Sequence, residues 1–263
     1  MNNLVFNINF LKRVLSSLFL IFIAFLSLLS NNYILISVLL ILICILTYEW
    51  VNITENVNNK IIIFTRSLIN IFIFLLSLFN IMWSVLFILL ITIINITSKN
   101  HPKVKSLYIH FGPFYICFPL IFLYSLNLEI VNGHLIVIWC LLVVWFTDTF
   151  AYIGGSIFKG KKLLPKISPN KTFSGAISGL LGGILISILT FMYLEYDILN
   201  SILLGLLVSI VAQIGDFFES YIKRIHFIKD SSNLIPGHGG MLDRLDSSLP
   251  VFCFVFIIYK LFV

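Results

Sequence analysis

Charged side chains are scarce in this chain: Lys, Arg, Asp and Glu make up 11% of its 263 residues, and 60% are hydrophobic. With a mean hydropathy of +1.07, that shortage excludes one or two soluble domains, since no stretch between the apolar runs could hold one. Cysteine is present without a pattern. Cys44, Cys117, Cys140 and Cys253 all fall inside apolar runs with no C-x-x-C or histidine spacing, so neither a disulfide framework nor a zinc site is indicated. Also missing is a small-residue cleavage site between Lys12-Arg13 and Asn31-Asn32, so the first apolar run is expected to be an uncleaved anchor and not a signal peptide.

What the chain does have is a succession of long apolar windows. Stretches able to cross about 30 Å of hydrocarbon fall at 14–30, 33–49, 61–77, 79–97, 107–126, 134–153, 175–194, 198–219 and 249–263. The expectation is an all-α, polytopic membrane helical bundle of about nine transmembrane helices. The boundary between Ser77 and Ile81 is the weakest, because only Ser77 and Asn80 interrupt two apolar runs and a re-entrant pair would read the same way. Residues 1–106 form an amino-terminal set of spans. Residues 107–263 form a carboxyl-terminal, catalytic region with polar loops at 154–174 and 220–248.

If the amino terminus is cytoplasmic and the nine windows alternate, every Lys and Arg except Arg66 and Lys260 falls on a cytoplasmic connection. The outer connections carry the acids Glu129, Glu195 and Asp197 instead. Arg66 can snorkel from within its span and Lys260 lies near the outer end of the last one, so both read as anchors. Both polar loops then share the face where nucleotides and anionic metabolites are found. The net charge of +6, gathered there, also attracts anionic lipid headgroups.

Three constellations break the apolar background. Asp216, Glu219 and Lys223 lie at offsets of three and seven, on one face of a helix end, with Ser220 between them. An acid at membrane depth normally faces a polar cavity or a cation, which marks Asp216; a local Glu219–Lys223 pair is the bland reading. Next, Gly237, Gly239 and Gly240 surround His238, and glycines allow positive φ and close approach of backbone N–H groups to phosphate oxygens. Asp243 and Asp246 follow at i and i+3, suited to gripping hard divalent ions, with Arg244 between them to neutralise phosphate or to pair with either acid. The third is the flap from Gly160 to Thr172, whose Lys161, Lys162, Lys166, Lys171, Ser168 and Thr172 suit anions, with the positive-inside signal alone as the other reading. Just upstream, Asp148 in apolar surroundings, one turn before Tyr152, reads as a buried acid implying a cavity. Gly175, Gly179 and Gly183 at steps of four mark a close helix contact.

These residues resemble a known family. Ser220, Lys223-Arg224, Lys229-Asp230, Pro236, His238-Gly239-Gly240, Asp243-Arg244 and Asp246 closely match the signature of the phosphatidate cytidylyltransferases, the CDP-diacylglycerol synthases. Asp148, Ala151-Tyr152, Gly154, Lys162-Leu163, Pro165, Ser168-Pro169 and Lys171-Thr172 resemble its second motif. Together they span roughly the carboxyl-terminal half of the chain. One position departs: Ser174 stands before Gly175 where that family usually carries an acid.

The resemblance implies transfer of the cytidylyl group of CTP to phosphatidic acid, giving CDP-diacylglycerol and pyrophosphate, with Mg2+, at the cytoplasmic face of an inner cell membrane. Asp216, Asp243 and Asp246 are assigned to the metal, with Lys223 beside Asp216 steadying its charge or a phosphate. Lys171, Thr172, Ser168, Ser220, Arg224, Lys229, Asp230, His238, Gly239, Gly240 and Arg244 are assigned to CTP or phosphatidate, and Asp148 and Glu219 are secondary candidates. Partners are the two substrates and membrane lipid, with no nucleic acid; a homodimer through the Gly175 face stays open. Two other readings remain: a CTP-dependent lipid-alcohol kinase, which would release CDP, and a transporter with Asp148 and Asp216 lining its path. Against the transporter, the polar residues crowd one face. The D-G-x-x-A-R spacing of a CDP-alcohol phosphotransferase is absent.

Overall fold

The computed structural model describes residues 2–55, 59–97, 103–193, 197–235, 237 and 239–262. Lys99, His101, Glu195, Pro236 and His238 lie outside the described residues. The chain is a helical membrane protein. Its helices are α1 (Asn2–Leu29), α2 (Asn32–Glu55), α3 (Lys60–Phe79), α4 (Ile81–Thr97), α5 (Lys103–Glu129), α6 (Gly133–Phe158), α7 (Phe173–Tyr193), α8 (Ile198–Ile225), α9 (Leu242–Leu245) and α10 (Ser248–Phe262). Among the described residues, six segments are long and apolar enough to cross a bilayer: Asn32–Glu55, Lys60–Phe79, His110–Glu129, Gly133–Phe158, Phe173–Met192 and Ile198–Ile225. Val14–Leu29, Ile81–Ile93 and Ser248–Leu261 are shorter apolar helices.

The doubtful boundary near Ser77 resolves into two helices that break at Asn80. Asn80 is extended (φ −164°, ψ 127°), its N–H closes α3 onto the Leu76 carbonyl, and its Oδ1 accepts from the Met82 N–H at 2.8 Å to start α4. One asparagine thus satisfies groups that both helix ends would otherwise leave unpaired in an apolar setting.

The expectation of an all-α chain needs one correction, in the loop 154–174. There the chain forms a two-stranded antiparallel hairpin, β1 (Lys162–Leu164) and β2 (Ser168–Thr172), pairing Lys162 with Thr172 and Leu164 with Ser168. Pro165 occupies the second position of a tight turn closed by the Ile167 N–H on the Leu164 carbonyl (3.1 Å), where its fixed φ suits the turn. The Phe173 N–H donates to the Lys161 carbonyl (2.9 Å) and closes the base.

The chain forms two compact units. One comprises residues 1–124 and 225–244, the other residues 125–224 and 245–263. In the first, Leu35, Leu39, Ile43, Leu46 and Trp50 make a buried stripe along α2 at the three- and four-residue steps of a helix face. Gly112 of α5 lies flush against the Trp50 indole, where an added Cβ would sit 2.7 Å from the ring. A buried polar link crosses this core: Asn70 of α3 donates to Thr47 of α2 at 2.9 Å. Hydrogen bonds of this kind hold helices together where lipid supplies no hydrophobic contrast.

In the second unit α7 packs closely on α6 through its glycines. A Cβ on Gly175 would lie 2.8 Å from the Ala151 carbonyl, one on Gly179 2.9 Å from the Thr147 carbonyl, and one on Gly183 1.8 Å from Ser209 Oγ of α8. The four-residue glycine spacing is therefore a packing face, as expected. Thr147 donates to Ser209 at 3.0 Å beside it. At one end of this unit Lys260 pairs with Glu129 at 2.7 Å.

Candidate functional site

Two polar clusters stand out, one in each unit. The first is built on the carboxyl-terminal end of α8, which continues as helix to Ile225 and so carries Asp216, Glu219, Ser220, Lys223 and Arg224 in register. Glu219 and Lys223 form the local ion pair of the bland reading, one turn apart at 3.0 Å, with both side chains buried. Asp216 pairs with Lys171 of β2, and the Lys171 ammonium also sits 4.3 Å from the centre of the Phe217 ring. Ser220 donates to Asp216 Oδ1 at 3.4 Å. Arg224 Nε donates to the Ile167 carbonyl in the hairpin turn, 3.2 Å. The basic flap is thus fastened to α8 at both its turn and its last strand.

The hairpin in turn is anchored to α7. Thr172 accepts the Gly175 N–H at 3.1 Å, which is an amino-terminal cap three residues into the helix. Ser174, the position that departs from the resembling family, accepts the Gly160 N–H at 3.1 Å and contacts the Thr172 hydroxyl at 3.1 Å. It closes the hairpin base. Ser168 opens β2 and is half-buried.

Asp246 joins this cluster because Gly215 leaves room for it: a Cβ there would lie 2.7 Å from the Asp246 carbonyl and 2.6 Å from Pro250. Its Oδ1 accepts the Ser247 N–H at 2.7 Å. Removal from water pushes the Asp246 carboxyl well above the ordinary aspartate range; Glu219 and Asp216 push it further, Lys223 opposes them, and Asp148 adds a last upward contribution. Asp148, expected to be buried, is instead exposed on α6 next to Thr147, whose side chain is the one turned inward.

A set of carboxylates close enough to raise one another's proton affinity is the donor chemistry that a hard divalent ion takes. In kind, therefore, Asp216 and Asp246 fit magnesium. Among the described residues, no three Asp, Glu, His or Cys side chains are already gathered as a coordination set.

The second cluster lies in the other unit, around the loop that leads into α9. Gly237 (φ 77°) and Gly239 (φ 83°) take left-handed backbone open to glycine at no steric cost. The Ile235 N–H closes the turn on the Gly239 carbonyl at 2.9 Å. Asp243 Oδ2 accepts from the Ser231 N–H (2.9 Å), the Ser231 hydroxyl (3.0 Å) and the Gly240 N–H (2.9 Å). The Gly240 N–H, assigned from sequence to phosphate, is therefore committed inside the loop, since the nearest strong acceptor is its own carboxylate three residues on. Lys229, Asp230 and Arg244 are exposed.

Sequence reasoning missed Glu49. Completely buried at 0% exposure in α2, it accepts from Ser232 Oγ (2.6 Å), Ser231 Oγ (3.1 Å), the Met241 N–H (2.8 Å) and the Leu242 N–H (2.6 Å). The available signal was an acid ending an otherwise apolar span, a costly placement that calls for partners.

Membrane-length helices, one of which ends in clustered carboxylates, a lysine and an arginine, define a membrane-embedded protein. The chain belongs to the cytidylyltransferase family, whose family model matches residues 11–262. It is 39% identical over 175 residues to a phosphatidate cytidylyltransferase of Rickettsia felis, covering 62% of this chain and 74% of that protein. It is 43% identical over 137 residues to the one of Rickettsia conorii (49% of this chain, 59% of that protein). With the one of Staphylococcus haemolyticus it shares 42% over 118 residues, 44% and 45% of the two chains.

Proposed function

We propose that this protein is a phosphatidate cytidylyltransferase, transferring the cytidylyl group of CTP to phosphatidic acid and releasing pyrophosphate. The observation that carries the reading, beside family membership, is the Lys171–Asp216 and Lys223–Glu219 cluster joined by Asp246 at the end of α8. A phosphatidate oxygen forms the new bond to the α-phosphorus as the bond to the β-phosphate oxygen breaks, and the electron pair leaves with pyrophosphate. The acceptor brings its own oxyanion, so no protein nucleophile is needed; charge neutralisation and in-line positioning suffice.

Lys171, held by β2 and backed by Asp216, is placed to neutralise phosphate charge; Lys223, Arg224 and Ser220 supply further donors along α8. Thr172 and Ser168 position the strand. In the other cluster, Lys229, Asp230, Gly239 and Arg244 line the loop that Asp243 organises. Asp216 and Asp246 would hold Mg2+, which when bound supplies Lewis-acid stabilisation of the developing negative charge. Nine membrane crossings with the amino terminus in the cytoplasm would put the cluster at the inner face of an inner cell membrane, where a soluble nucleotide meets a lipid headgroup.

Purified protein in detergent, given CTP labelled in the cytosine ring, phosphatidic acid and magnesium, is expected to produce lipid-extractable label with equimolar pyrophosphate. Release of CDP instead would mean a kinase. Absence of labelled lipid refutes the reading.

A further inference from the structure

We propose that Glu49 is a positioning residue: its buried carboxylate, in the second helix, holds the 231–242 loop in its working shape. Both oxygens are used twice. Oε1 takes Ser232 Oγ and the Met241 N–H, and Oε2 takes Ser231 Oγ and the Leu242 N–H. All four donors come from one loop, 182 to 193 residues away in sequence, and they bracket the glycine turn on both sides. The Ser231 hydroxyl lies between two carboxylates, 3.1 Å from Glu49 and 3.0 Å from Asp243. Asp243 also fixes the Ser231 and Gly240 amides. The loop is therefore clamped from the α2 side by one acid and from within by the other. Gly240 completes the fit, since a Cβ there would lie 1.9 Å from Ser231 Oγ and 2.6 Å from Glu49 Oε1.

A neutral surface loop needs no buried anion. A carboxylate that has left water and takes its hydrogen bonds wholly from one loop's hydroxyls and amides loses them when that loop changes shape, so helix and loop fix each other. Gln at this position would turn an N–H2 toward one of the two backbone N–H donors, leaving two donors face to face. The effect on turnover rests on the reading above; the effect on the loop does not.

The test uses full-length protein in detergent, with amide hydrogen exchange of the 231–242 peptides measured beside cytidylyl transfer from CTP to phosphatidic acid. Glu49→Gln is expected to speed exchange of the Met241 and Leu242 amides about tenfold to a hundredfold, with α8 peptides over 205–219 unchanged. Turnover should fall by a similar factor. Glu49→Asp, which keeps the charge, is expected to recover part of both. Ser232→Ala removes one donor and leaves α2 intact; it is expected to give a smaller loop-local acceleration, and it decides the matter if Glu49→Gln does not fold. Unchanged Met241 and Leu242 exchange in the folded variants, or exchange that rises equally across α8, overturns the proposal. A wild type that makes no labelled lipid while the loop responds as stated removes the enzymatic reading and leaves the clamp standing.

Discussion

Replacing Gly240 by alanine isolates the fit between the loop and α2. Gly240 is not among the residues with left-handed backbone, so the substitution brings no conformational strain and its whole effect is steric. The new methyl would lie 1.9 Å from Ser231 Oγ, 2.6 Å from Glu49 Oε1 and 2.8 Å from Glu49 Cδ. To reach even 3.0 Å, Ser231 Oγ must retreat by 3.0 − 1.9 = 1.1 Å, which breaks its shared bond to Glu49 and Asp243. Displacing Glu49 loosens the Met241 contact of 2.8 Å as well. Two hydrogen bonds to charged acceptors at about 1.5–3 kcal/mol each give about 3–6 kcal/mol, concentrated in one loop. Turnover of CTP should fall at least tenfold, and chymotrypsin should cut faster after Phe227, which is already 93% exposed. Ser231→Ala in the same chain removes the closest clash and should restore part of the loss. A Gly240→Ala enzyme with wild-type turnover and digestion rate would refute the steric reasoning.

Lys171→Ala removes the cation that faces Asp216 and should lower kcat/KM for CTP by about a hundredfold to a thousandfold, measured by incorporation of label into lipid. Gly183→Ala drives a methyl to 1.8 Å from Ser209 Oγ and 2.7 Å from Thr147 Oγ1; an overpacking cost of about 1–3 kcal/mol should lower the melting midpoint, and Ser209→Ala should recover part of it. Thr172→Ala removes the cap of α7 and should cost about 1 kcal/mol of stability, whereas Thr172→Ser should not. Burial, then Glu219 and Asp216, raise Asp246 above its ordinary 3.8 in the folded chain. The stabilisation from its proton is complete below that ordinary value and is lost as pH rises toward the raised one. In chelator-treated protein Asp246→Asn should therefore gain in melting midpoint relative to wild type as pH increases. Magnesium should raise the wild-type midpoint and leave that variant unmoved.

The helical spans were legible because they are repetitive: α2, α3, α6, α7 and α8 begin and end within a few residues of the apolar windows, and periodicity correctly put Asp216, Glu219 and Lys223 on one helical face. The glycine steps of α7 were legible for the same reason. The hairpin was not, since Lys162–Leu164 and Ser168–Thr172 are short strands of mixed polarity whose pairing depends on a proline turn and on anchors in α7 and α8. Glu49 carries no local pattern at all. Its partners lie at 231–242, so in sequence it is an acid at the end of a span, indistinguishable from an interfacial flank. Asp148 is exposed and not buried, because apolar neighbours in sequence do not fix which side of a helix is packed.

The lysine-bearing strand is continuous with the start of α7, with no slack between Thr172 and Phe173. A reporter group or short insertion placed at Pro165-Lys166 would ride on the turn and leave this junction untouched. One added residue between Lys171 and Gly175 would instead swing the ammonium through a large part of a turn relative to the glycine face behind it. Tolerance to insertion should therefore change abruptly within a few residues, so a scanning-insertion library would map this junction at single-residue resolution.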